Sequence, residues 1–265
     1  MASDKPFGAY APSFVGNLIL SLIQNSILKR GAFRPSMSRL MGDRPVDTIY
    51  QGVRFRLHHR DNGSELGVLF NPKYNATELD FLRERTPVGG IFVDIGANVG
   101  IFSVVMARHL GAKGRVIAIE PHPLACERLV FNASQLPIEN LTLLQLAAGE
   151  DEGELKISTD FGNLGASHVS ASGTDVKVRR LDAIMSDVAV THIDSMKIDV
   201  EGYEDRVLMP FFKEAPASLW PTAIAIEHLQ QDMWKSDCVG WLLQHGYRVK
   251  GKTRSNTLMV RKARL

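Results

Sequence analysis

The chain has 265 residues, 45% hydrophobic and 23% charged, the balance of a globular protein with a sizeable core, which excludes a disordered chain or a coiled coil. Lys and Arg number 31 against 29 Asp and Glu, and no basic run exceeds two residues, so no nucleic-acid partner is expected. The two cysteines, Cys126 and Cys238, are too few for a disulfide framework or a Cys-rich zinc site, and reduced thiols in the cytoplasm are the expectation.

Residues 14–28 are rich in apolar side chains but are interrupted by Asn17, Ser21, Gln24, Asn25 and Ser26. The stretch is too short for a spanning helix, and it lacks the basic start and small-residue cleavage site of a signal peptide. It reads as an amphipathic helix packing on the main domain, with docking on a membrane or a partner as the alternative. Residues 1–45 form a helical extension, and 46–265 a single main domain, divided into a hairpin and helix (46–90) and a core (91–265). Val53, Phe55 and Leu57 alternate with polar residues, and Asp61-Asn62-Gly63 precedes an apolar run at 66–70, which predicts a β-hairpin. His58-His59 is placed beside its turn without a function. A short helix is predicted over 77–85, stopped by Pro87.

From Gly90 onward strands and helices alternate. Strands are predicted at 91–95, 115–120, 141–146, 193–200 and 223–227, and helices at 99–110, 123–135 and 234–245, the last closed by Gly246. Residues 247–249 and 257–260 read as a closing antiparallel pair. Continuous apolar strands separated by helices indicate a parallel sheet covered on both faces. The predicted fold is α/β, a Rossmann-like, doubly wound, mostly parallel seven-stranded sheet with an antiparallel last strand. Trp220, Trp234 and Trp241 read as packing residues.

Such a sheet binds ligands beyond the carboxyl ends of its strands. The first strand–helix turn reads Asp94-Ile95-Gly96-Ala97-Asn98-Val99-Gly100, where Gly96 and Gly100 let the backbone turn tightly and a ligand approach. The next acidic strand end is Glu120, suited to accepting hydrogen bonds from two ribose hydroxyls. A dinucleotide fingerprint needs glycines at relative positions one, three and six; counted from Gly96 these are Gly96, Asn98 and Ile101, so it fails. Asp94 is a poor neighbour for a pyrophosphate and a good one for a cation. It could meet the sulfonium and ammonium of S-adenosylmethionine directly, or hold the loop by accepting backbone N–H bonds. The turn resembles the D/E-x-G-x-G-x-G loop of class I S-adenosylmethionine-dependent methyltransferases, with Asn98 in place of the middle glycine. Asn tolerates positive φ best among the other residues.

A second acidic cluster, KIDVEGYE (197–204), ends the fourth strand. Alternation directs Lys197, Asp199 and Glu201 to one side if the strand runs that far, while Glu204 reads as a charge favoured at a helix start. Together with VDIGANVGIFS (93–103), Glu120-Pro121, Arg180-Leu181-Asp182, Ile226-Glu227-His228 and the stretch 74–78, this segment resembles the FkbM-type methyltransferases over residues 48–230. The resemblance implies an O-methyltransferase acting on hydroxyls of small molecules or sugars, with S-adenosylmethionine as donor and S-adenosylhomocysteine as product. An N-methyltransferase, or a donor-binding protein without turnover, is the alternative. The donor-binding set is Glu78, Asp94, Gly96, Ala97, Asn98, Gly100, Glu120, Pro121, Ala147 and Asp199. The catalytic candidates are Asp199, first choice as base, with Glu201, Glu227 and His228. These side chains could hold Mg²⁺, but their spacing defines no metal site, and no metal ligand is assigned. The Gly- and Ser-rich loop at 158–174 joins two strands, as a substrate lid or as a plain hairpin tip. The expected partner is the hydroxyl substrate, with a homo-oligomer left open.

Overall fold

The computed structural model describes residues 5–29, 32–157 and 173–262. The loop predicted at 158–174 lies almost wholly outside them. Seven strands form the central sheet: β3 (Ile91–Ile95), β4 (Arg115–Ile119), β5 (Leu141–Leu144), β9 (Ser195–Ile198), β10 (Ala223–Glu227), β11 (Tyr247–Lys252) and β12 (Asn256–Arg261). Their order is β11-β12-β10-β9-β3-β4-β5, and β12 runs antiparallel to both its neighbours while the pairs from β10 to β5 are parallel. The predicted parallel sheet with an antiparallel last strand is the one observed.

The near-continuous apolar strands are explained by two buried faces. Phe92, Ala223 and Ala225 face a core built with α3 (Gly63–Phe70), α4 (Ala76–Arg85) and α5 (Ile101–Leu110). Their neighbours Val93, Ile224 and Ile226 face the opposite core, under α7 (Leu181–Asp187), α8 (Glu204–Glu214) and α9 (Cys238–Gln244). The helix α6 (Pro123–Ala133) follows β4, and a small sheet of β6 (Ala147–Gly149), β7 (Gly153–Ile157) and β8 (Thr174–Arg180) lies beyond β5. Trp220 and Trp241 pack around Phe212, as expected of core aromatics.

Two expectations are corrected. The hairpin is β1 (Val46–Tyr50) with β2 (Val53–Leu57), reversed at Gln51-Gly52, both with positive φ, so the strand was predicted one element too late. The run at 66–70 belongs to α3 instead. Asn62 caps that helix, its Oδ1 accepting from the Ser64 and Glu65 amides, so the Asn-Gly signal is a helix start. His58-His59 accordingly follows β2 rather than a hairpin turn. The helix predicted over 234–245 begins only at Cys238. Asp205 Oδ2 accepts from the amides of Lys235 and Ser236 and holds them outside the helix, which Asp237 then caps.

The N-terminal extension contains α1 (Phe14–Gln24) and α2 (Arg34–Leu40), both packed against α3. Among the described residues no helix is long and apolar enough to cross a membrane.

Candidate active site

The carboxyl ends of β3, β4 and β9 open into a crevice of about 340 Å³. Its floor is the β3–α5 turn. The amides of Gly96 and Ala97 donate to the Ile119 carbonyl at 2.9 and 3.0 Å, docking the turn on the end of β4. Gly96 has φ +74°, and a Cβ there would lie 1.8 Å from the Asp199 carbonyl oxygen. The turn therefore fits against the end of β9 only as glycine. Gly96→Ala is expected to combine left-handed strain with a backbone clash and cost about 2–4 kcal/mol. Chemical denaturation checks this, and a loss under about 1 kcal/mol would contradict it.

Glu120 stands on the wall opposite. One carboxylate oxygen accepts from the Asn98 amide at 2.7 Å and the other from the His122 amide at 2.8 Å. Burial pushes its carboxyl up to about 7 against these two bonds. Asn98, with φ +50°, is held from outside by Asn62, whose Nδ2 donates to its Oδ1 at 2.8 Å. Asn62 thus caps α3 and braces the turn, a double role that the sequence does not signal.

Asp94 is fully buried beneath the turn and is absent from the lining. It pairs with Lys197 across the β3–β9 register. Its Oδ2 accepts from Ser103 Oγ at 2.5 Å, and Lys197 Nζ lies 3.8 Å from its Oδ1. Lys197 also reaches the Gly96 carbonyl at 3.1 Å and Asp199 at 3.3 Å. Burial opposes its charge, but Asp199 and Asp94 outweigh that and hold the ammonium above its ordinary range. Lys197 is the residue sequence reasoning left without a role. Its two-residue spacing from Asp199 was the available signal.

The chain then leaves β9 through Asp199, Val200 and Glu201, all lining the crevice. Glu201 adopts φ +54°, a strained conformation of the kind that gathers at functional sites. Glu204 holds this turn, its Oε1 accepting from the amides of Val200 and Gly202 and its Oε2 from Trp234 Nε1. It stands in the first turn of α8, as expected, and from that buried position it also organises the turn before the helix. Burial, reinforced by Asp199 and Glu204, pushes Glu201 up to about 7, and Gln230 Nε2 donates to it.

Of the other predicted residues, Ala97, Pro121 and Ala147 line the crevice, whereas Glu78, Gly100, Glu227 and His228 do not. Glu78 is buried and accepts from Asn256 Nδ2 at 3.3 Å. Glu227 is buried opposite Asn256 in the β10–β12 register, accepts from the Leu229 amide, and is raised by burial to about 7. The Nδ1 of His228 meets Thr257 Oγ1 at 3.0 Å. Among the described residues no three His, Cys, Asp or Glu side chains converge on a metal position.

A doubly wound sheet with a glycine turn, a carboxylate on the second strand and an acidic turn after the fourth defines the class I methyltransferase fold. The chain belongs to the FkbM methyltransferase family, whose domain, described as "Methyltransferase FkbM domain", matches residues 94–249. A curated relative, the "Probable protein-L-isoaspartate O-methyltransferase" of Dictyostelium discoideum, is 31% identical over 98 residues, 36% of this chain and 31% of that protein. The matched part is thus about a third of that relative's length. Among solved structures, a precorrin-6y C5,15-methyltransferase from Geobacter metallireducens is similar with a TM-score of 0.45 and 17% identity, over 72% of this chain and 90% of that one. An rRNA methylase from Streptococcus thermophilus has a TM-score of 0.42 and 16% identity, over 71% and 95%.

Proposed function

We propose that the chain is an S-adenosylmethionine-dependent O-methyltransferase acting on a hydroxyl of a small molecule or sugar. The observation that carries this reading is the charge of the crevice. Among the described residues its lining holds Glu120, Asp199 and Glu201 against the single cation Lys197, which is already engaged by Asp199, Asp94 and the Gly96 carbonyl. Such a lining repels a pyrophosphate and suits a ligand bearing a sulfonium and an ammonium. The apolar remainder, with Ile95, Ile119 and Phe102 among it, suits a nucleoside base. Family membership supports methyl transfer, and the oxygen specificity in the curated relative's name favours an oxygen nucleophile.

When bound, the donor supplies an electrophilic methyl group on sulfur. Gly96, Ala97, Asn98, Glu120, Pro121 and Ala147 would hold it. Glu120 spends one acceptor position per oxygen on backbone amides, and a carboxylate has about four such positions, so two remain for ribose hydroxyls. Asp94 acts through Lys197 as a positioning residue. Asp199 accepts the proton of the acceptor hydroxyl as general base, with Glu201 beside it and Glu227 within electrostatic reach. Alignment in the crevice supplies the rest, since orientation alone can lower such barriers by up to about 7–11 kcal/mol in well-oriented systems.

Calorimetric titration with S-adenosylhomocysteine and with NAD, followed by a labelled-methyl screen against hydroxylated metabolites with and without Mg²⁺, tests the reading. Binding of the first nucleoside and transfer to oxygen are expected. Binding of NAD alone would overturn it.

A pH dependence follows from Glu120. Its ionised form is the better acceptor, and its proton leaves near pH 7. Affinity for S-adenosylhomocysteine is therefore expected to rise with pH, by up to about tenfold per unit below 7. Glu120→Gln should flatten the profile, and an unchanged slope in that variant would count against the assignment.

A further inference from the structure

The helix α1 has two apolar faces. Leu20 and Ile23 enter the core, and Gln24 Nε2 donates to the Leu69 carbonyl of α3 at 2.9 Å, which fixes the rotation of the helix. Residues 8 and 10 are tied to β1 as well, both amides donating to Asp47. With the helix so anchored, Phe14, Leu18 and Leu22, four residues apart, share a second face with Val15. That face is open: these residues are 85%, 54%, 62% and 61% exposed in that order. Ile27, in the turn after α1, and Leu40, at the end of α2, are apolar and exposed as well, at 61% and 72%. Single exposed apolar residues are ordinary, but a contiguous set marks a docking surface.

Charge indicates what docks there. Residues 5–42 contain Lys5, Lys29, Arg30, Arg34 and Arg39 and neither Asp nor Glu, a local +5 in a chain whose total is +2. Arg254, on the turn between β11 and β12, lies within electrostatic reach of Arg34 and adds to the same field. Two-fold self-association through residues 5–42 would set five like charges against each other, and Asp43 at the edge of the stretch is already paired with Arg60. The apolar residues also extend over α1, the turn after it and the end of α2, more broadly than the single row a groove-bound helix inserts. An apolar stripe for the acyl boundary, bordered by cations for phosphate groups, is the combination of an interfacial helix. We propose that this face seats the protein on the surface of an anionic lipid bilayer, lying on it rather than spanning it.

Co-sedimentation of the full chain with phosphatidylcholine vesicles, with and without 30 mol% phosphatidylglycerol, tests this at low and high salt. Binding to the anionic vesicles is expected to exceed that to neutral ones by at least about tenfold and to collapse in high salt, each surface cation contributing roughly fivefold. Leu18→Asp/Leu22→Asp should abolish it. Lys29→Glu/Arg39→Glu, which leaves the apolar face intact, should lower it by more than about tenfold. Circular dichroism and the thermal midpoint identify any variant that fails to fold, in which case the other carries the test. No preference for anionic vesicles would overturn the proposal. So would a wild-type dimer in light scattering that Leu18→Asp/Leu22→Asp converts to monomer.

Discussion

Asp199→Asn is expected to lower kcat by about 10²–10⁴-fold while leaving the affinity for S-adenosylhomocysteine within about threefold. The amide keeps the shape of the side chain and can still accept from Lys197, which retains its contacts to Asp94 and the Gly96 carbonyl. What it loses is the capacity to take a proton. The proposed donor cradle after β3 and β4 is untouched, so binding and turnover should separate. Glu201→Gln is the matched comparison, because Glu201 lines the same turn and titrates near 7. It is expected to fall by less than about tenfold. Single-turnover rates and titration read out both variants. Wild-type turnover in Asp199→Asn would remove it as base, and a larger loss in Glu201→Gln would move that role to Glu201.

The largest effect on stability is expected from Arg128→Met. Arg128 lies on α6, buried, and donates to Glu65 at 2.7 Å and to both oxygens of Asp61 at 2.9 and 2.8 Å. Glu65 is fully buried on α3, and its other oxygen accepts from the His58 amide at 2.8 Å. Removing the guanidinium leaves a carboxyl in the core without its counter-charge, and breaking one side of a buried pair costs about 3–5 kcal/mol. For a chain of this size that corresponds to a fall of roughly 10 °C in Tm. Donor affinity should fall too, because α3 carries Ser64 of the crevice wall and is capped by Asn62, which braces Asn98. Adding Glu65→Leu to Arg128→Met should recover part of the loss, since the only carboxyl then left without the guanidinium is that of the partly exposed Asp61. Urea denaturation of the single and double variants decides this, and a single-variant loss under about 1 kcal/mol would refute it.

The central sheet and the glycine turn are legible because each is written in consecutive residues. The runs at 91–95 and 223–227 are apolar on both faces except at Asp94 and Glu227, which only a covered strand requires. The Asp94–Gly100 turn and the segment 197–204 announce themselves by spacing. The run at 66–70 was misread because a short apolar stretch does not distinguish strand from helix. The Asn62 cap decided the matter, and its signal was mistaken for a turn. Trp234 was assigned to a helix because nothing local shows that Asp205, thirty residues earlier, takes up the amides that follow it.

By itself, the order of apolar segments determined a doubly wound sheet and the edge on which the crevice opens, because burial on two faces and tight turns are local demands on composition. Only the tertiary structure decided which acidic groups share the crevice. Asp94, Glu78 and Glu227 are as acidic in the sequence as Glu120 and Asp199. Strand register nevertheless turns Asp94 onto Lys197, the β10–β12 pairing sets Glu227 opposite Asn256, and Glu78 of α4 accepts from that same Asn256, both outside the lining. The physical reason is that a side chain's surroundings depend on which strand lies alongside and in what register, and that is fixed by contacts between residues far apart in the chain.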